Sequence, residues 1–220
     1  MALSAARTLP ALRDEYLALW SSMAIRPERM ASVDARVQRI IANKTRYRSV
    51  ADPLGVPWYV VGIVHSLEGG GFSAHLHNGD PLTARTTHVP AGRPTTGNPP
   101  FTWEESATDA LRSRGWSAST DWSIPGTLYQ LEKYNGFGYR PLGIATPYLW
   151  SFSNHYTRGK FTSDGQFNAN AVSAQAGGAA ILRRLADAGY VGAPIPTMSW
   201  APYVAGGVAM AVAAWLIATD

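Results

Sequence analysis

Hydrophobic positions fall mostly at helical spacing. Residues 11–24 (ALRDEYLALWSSMA) bring Leu12, Tyr16, Leu19 and Trp20 near one face, and Arg26-Pro27 closes the segment. Residues 32–46 repeat the pattern with Val33, Val37, Ile40 and Ile41, behind Ser32 as an N-cap. The run 58–68 (WYVVGIVHSLE) differs: it is nearly free of charge, which predicts a short helix buried on all sides, begun after Pro57 and carrying Glu68 as its only carboxylate. Further helices are predicted over 103–114, with Thr102 and Glu105 placed for a capping box, and over 122–134. A short aromatic segment follows over 147–156, then an Ala-rich helix over 168–188 with Leu182 and Leu185 facing inward.

The pattern shortens to strand spacing once. After Gly69-Gly70-Gly71, residues 72–77 and 82–89 flank Asn78-Gly79-Asp80-Pro81, and Asn-Gly is a strong hairpin signal. A small antiparallel β-ribbon is therefore expected there, with 90–102 as a Pro/Gly/Thr-rich loop and 160–165 as a turn. The fold class is mainly α (α+β), with one domain over 1–190. A Gly/Pro-rich linker over 191–199 leads to an apolar helix over 200–218 (WAPYVAGGVAMAVAAWLIA). That last segment has no charge and is long enough for a bilayer core of ~30 Å. It reads equally as a membrane contact or as a helix packed against a partner.

Composition adds bounds. The chain of 220 residues is 46% hydrophobic and 15% charged, which fits a globular domain and argues against disorder. Eight Trp and ten Tyr exceed what a minimal core needs, and rings of this kind line carbohydrate grooves as well as cores. A net charge of +4 without any Lys/Arg run leaves a polyanionic partner only diffusely indicated; an acidic cell wall suits it as well as nucleic acid would, the charge alone does not choose, and no nucleic acid is assigned as a partner. With no cysteine, disulfides, thiolate zinc sites and cysteine nucleophiles are excluded. No apolar h-region follows the N-terminus, so synthesis in the cytoplasm without a cleavable signal peptide is expected.

Candidate chemistry centres on Glu68. A carboxyl at the end of a buried run is partly desolvated, which raises its pKa and suits a general acid; a solvated helix end is the competing reading. Asp80 would be the second carboxylate of a glycosidase, although Asp-Pro after Asn-Gly is also ordinary turn chemistry. Thr86 on the returning strand would position a water. His75, His77 and His88 near Asp80 raise a zinc site, but no HExxH accompanies them, so no metal and no cofactor is assigned. No GxSxG, P-loop or dinucleotide fingerprint is present.

Helix-ending Glu68, the segment HLHNGDPLTART, the later YNGFGYR and the aromatic PYLWSFSNHYTRGKF together resemble the lysozyme-like family of bacteriophage endolysins and bacterial genomes, over roughly residues 50–188. The resemblance implies a lysozyme-like helical domain with a β-ribbon beside the active site. It also implies cleavage of peptidoglycan glycan strands between N-acetylmuramic acid and N-acetylglucosamine, at the cell wall or periplasm. Glu68 matches the catalytic glutamate, and Asp80 and Thr86 resemble the Asp and Thr of phage-type lysozymes, though the interval from Glu68 to Asp80 is wider here. His77, Asn78 and Tyr139 are expected to bind substrate. Tyr134, Asn135 and Gly136 resemble the cleft-lining motif of lytic transglycosylases, which need one glutamate alone. Three readings stay open: a muramidase, a lytic transglycosylase, and a non-catalytic wall-binding or phage structural protein on the same scaffold.

Overall fold

A computed structural model describes residues 3–69, 71–163 and 165–192. The linker from residue 193 and the apolar segment 200–218 lie outside the described residues. Among the described residues no helix is long and apolar enough to cross a membrane. Helices dominate: α1 (Leu9–Ser22), α2 (Pro27–Ala42), α3 (Lys44–Ala51), α4 (Trp58–Glu68), α5 (Trp103–Ser113), α6 (Ile124–Asn135), α7 (Pro147–Trp150) and α8 (Gly178–Asp187). One two-stranded antiparallel sheet pairs β1 (Lys160–Ser163) with β2 (Gln166–Asn168).

The chain is wrapped around α4. Its entry follows from Pro57, whose backbone is already extended there, and its exit from Gly69, which takes the left-handed φ of 79° and returns its amide to the His65 carbonyl at 3.1 Å. Every residue from Tyr59 to His65 is buried, and α2, α3 and α8 pack around the helix. Gly62 lets α2 and α3 approach closely: a Cβ there would lie 2.6 Å from Ile40 Cγ2 and 3.1 Å from the Tyr47 ring. Helix α1 lies against α6.

Three expectations are corrected. The second helix starts at Pro27 and is broken at Asn43, whose Nδ2 donates to the Arg39 carbonyl at 2.8 Å; this side chain competes with the helix ladder, and the chain resumes as α3. The Ala-rich helix is much shorter than its composition suggests. Asn168 Oδ1 accepts the amides of Asn170 and Ala171, holding a turn there, and the chain becomes helical only from Gly178.

The third correction moves the β-ribbon. Residues 72–89 form a compact loop with a single bridge between Ala74 and Pro81. Pro81 has no N–H to continue a ladder, and the returning segment is tied instead by side chains. The ribbon is 160–168, expected only as a turn, where Phe161 pairs with Phe167 across the two strands and their rings meet at 5.3 Å between centroids.

Candidate active site

The last turn of α4 places Leu67 in the wall of a cleft and Glu68 against Tyr148, which lines the same cleft. Gln175 Nε2 donates to the Leu67 carbonyl at 2.5 Å, satisfying one of the free carbonyls of that helix end and holding it in place. The Glu68 carboxylate is half-buried, and its Oε1 accepts the Tyr148 hydroxyl at 2.8 Å. Burial pushes its pKa above the ordinary value of 4.5, against the opposing pull of the Tyr148 hydrogen bond and the Arg114 charge. A helix C-terminus adds negative potential in the same place, which favours the protonated form further.

Two phenols accompany the acid. Burial and the Glu68 charge push Tyr148 well above its usual range and Tyr134 also upward, so both remain protonated donors. Tyr134 spends its hydroxyl on the Leu76 carbonyl at 3.0 Å, and the Arg114 guanidinium lies 4.4 Å over its ring. Of the two phenols, Tyr148 is the one that reaches Glu68.

The cleft encloses about 520 Å³ and is walled by Leu67, Asn135, Gly136, Tyr139, Tyr148, Lys160 and Phe161, among others. Asn135 is exposed at the end of α6, and Gly136 turns the chain with φ 92°. The Tyr139 hydroxyl accepts the Phe161 amide at 3.1 Å, and the two rings meet edge-on with centroids 5.0 Å apart. This contact fastens β1 to the YNGFGYR loop, so the ribbon that lines the cleft is 160–168.

The 72–89 loop is built differently. Asp80 Oδ2 accepts the Thr87 amide at 2.7 Å and the His88 amide at 3.1 Å, while Oδ1 meets His88 Nδ1 at 2.6 Å. The His88 ring and these amides hold its pKa far below the usual carboxylate range. Thr86 is buried, donates its hydroxyl to the Pro90 carbonyl at 2.5 Å and accepts the Arg93 amide at 2.9 Å. Asn78 donates to the His88 carbonyl at 3.0 Å and accepts the Asp80 amide at 3.0 Å. His77 is buried, with Nε2 2.8 Å from Asp109, which also pairs with Arg93 at 2.9 Å. Burial lowers the His77 pKa and the Asp109 charge opposes that shift. None of Asp80, Thr86, His77 and Asn78 lines the cleft.

The predicted residues therefore separate into two groups. Glu68, Asn135, Gly136 and Tyr139 belong at or beside the cleft, and Tyr134 stands behind it. Asp80, Thr86 and Asn78 are engaged within 78–93, and His77 is held by Asp109 of α5. His75 is engaged at both nitrogens, by Ser106 Oγ and the Ala84 carbonyl, each at 2.8 Å. No group of three or more His, Asp or Glu arranged for a metal occurs among the described residues.

Sequence reasoning missed Tyr148, Arg114, Lys160 and Gln175. Tyr148 sits in the quoted aromatic segment PYLWSFSNHY, but nothing in that pattern says which of its rings reaches Glu68. Comparison with protein-family models, curated proteins and solved structures finds no match.

Proposed function

We propose that the chain cleaves peptidoglycan glycan strands between N-acetylmuramic acid and N-acetylglucosamine by the single-carboxylate route of a lytic transglycosylase. The observation that carries this reading is Glu68: a half-buried carboxyl of raised pKa, held by the protonated phenol of Tyr148, which itself lines an aromatic cleft. The lysozyme-like resemblance supports the substrate class. The single-acid route is favoured because the Asp80 oxygens are already occupied by Thr87 and His88, so that the carboxylate expected to activate water is engaged within its own loop.

In this mechanism the protonated Glu68 gives its proton to the glycosidic oxygen as the bond from that oxygen to C1 of the muramic acid breaks. The resulting carboxylate takes the proton of the muramic acid C6 hydroxyl, whose oxygen closes onto C1. An anhydro sugar forms, no water is consumed, and Glu68 ends protonated. Tyr148 keeps the carboxyl oriented through both transfers.

Mass spectrometry of muropeptides from purified wall tests the reading. Terminal anhydro sugars are expected from the wild-type chain, and Glu68→Gln should reduce their formation by about 10²–10⁴-fold, the usual contribution of a general acid–base group. Reducing ends in place of anhydro ends would favour the muramidase reading. Wall binding without products would leave a non-catalytic scaffold.

A further inference from the structure

Beside the C-terminal end of α4 lies a second pocket, of about 270 Å³, which shares no lining residue with the Glu68 cleft. Arg36 and Arg39 of α2 line it, together with Asn43, Tyr47, His65 and Phe72. The two arginines make no ion pair among the described residues, whereas neighbouring Arg46 is paired with Glu104 and the Asp34 carboxylate with Arg184. Arg39 stands close enough to Arg36 to disfavour its charge, as does burial. Arg36 is half-buried and Arg39 exposed, and no acid lines the concavity among the described residues, so an anion there would meet unopposed positive charge.

His65 supplies an independent sign. It is buried, with 8% of its surface exposed. Its Nδ1 lies 2.9 Å from the Tyr47 hydroxyl, while its Nε2 is buried and has no hydrogen-bond partner among the described residues. The Gly71 backbone comes near the ring without making an aligned bond. Burial pushes the Tyr47 phenol up to about 12, so it keeps its proton, and that proton has Nδ1 as its acceptor among the described residues. Nδ1 therefore takes the lone-pair role and Nε2 carries the hydrogen. The pocket thus presents one unused N–H donor and two guanidiniums, with Asn43 alongside.

We propose that this pocket binds a phosphate-type oxyanion, held by the Arg36 and Arg39 guanidiniums and by the His65 Nε2–H. A phosphate group offers the three outward oxygens that such a donor set needs, where a carboxylate offers two. The pocket is larger than a bare ion requires, so a phosphate monoester fits the same chemistry. The proposal stands apart from the glycan-cleaving reading, since a chain inactive on peptidoglycan would still carry the site.

Calorimetric titration with inorganic phosphate, glycerol phosphate, acetate and chloride tests it, alongside nitrogen-correlated NMR of the His65 ring. Saturable binding of phosphate is expected in the wild type, weakened at least ~10-fold in Arg36→Gln/Arg39→Gln, which removes two charge-assisted partners. The His65 Nε2–H resonance should move with phosphate and stay in place with acetate. Equal binding of glycerol phosphate would place a phosphate ester in the site, and binding of phosphate alone would place the free ion there; either supports the proposal. Acetate or chloride binding as well as phosphate, unchanged binding in the double variant, or a His65 signal unmoved by phosphate would overturn it. The His65 readout uses the wild-type chain and is independent of how the variant folds.

Discussion

At the scale of single residues, two carboxylates of one loop-and-helix stretch are pushed in opposite directions. Glu68 is desolvated and sits at a helix C-terminus, so its folded pKa lies above the ordinary 4.5. The ionised form then weighs against folding: the penalty is fully present above the folded pKa and relaxes as pH falls toward 4.5, where the unfolded chain also takes up the proton. Glu68→Gln keeps an oxygen for Tyr148 without the charge. It should therefore raise Tm at neutral pH, with the gain fading in melts taken at acid pH; a constant gain would mean the effect is not electrostatic.

Asp80 is the converse case. Its folded pKa is depressed below the ordinary 3.8, so its contribution to stability is present above that value and is lost as pH falls through the lower folded one. Asp80→Asn should lower Tm at neutral pH and converge on the wild type in strong acid. In hydrogen exchange it should loosen the Thr87 and His88 amides first, because Asp80 accepts both. Under the proposed mechanism it should leave the anhydro-sugar products in place.

At the scale of elements, α4 is positioned by close approach as much as by apolar burial. Gly62 faces Ile40 of α2 and Tyr47 of α3, and no side chain fits between them. Gly62→Ala gains helix propensity but overpacks this contact. A cost of about 1–3 kcal/mol is expected, or roughly 3–9 °C in Tm for a chain of this length. The shift should be visible in thermal melts and should reach Tyr47, the partner of His65. The same helix was legible in the sequence over its full 58–68 extent, because an apolar run between Pro57 and Gly69 has few other solutions. The capping box of Thr102 and Glu105 was legible for a similar reason: both its bonds are local, Thr102 accepting the Glu105 amide and Glu105 accepting the Thr102 amide. The 72–89 ribbon and the long 168–188 helix were misread, since Asp80, Thr86 and Asn168 satisfy the backbone with side chains where a period-based reading assumes ladders.

At the scale of the whole molecule, distant parts of the chain are joined through a buried charge cluster. Arg140, from the YNGFGYR loop, pairs with Glu15 of α1 at 2.8 Å and with Glu132 of α6 at 2.7 Å, and donates to the Tyr16 hydroxyl at 3.0 Å. All of these groups are buried. Removing the cation would strand two carboxylates, so Arg140→Met should cost about 3–5 kcal/mol, measured by denaturant unfolding. The same loop carries Gly136 and Tyr139 into the cleft, so loosening it should also weaken cleft binding before the chain unfolds.

The sequence by itself determined the mainly helical class, the buried helix 58–68 with a single acid at its end, and the loop that contributes Asn135, Gly136 and Tyr139. These follow from local rules of periodicity, capping and turn chemistry. Only the tertiary structure decided that Tyr148 meets Glu68, that the ribbon beside the cleft is 160–168, and that Asp80 and Thr86 serve their own loop. It alone brings Arg36 and Arg39 to His65. Each of these is a pairing across many residues of chain, fixed by which buried polar groups find partners once the helices have packed, and a linear pattern carries no record of that competition.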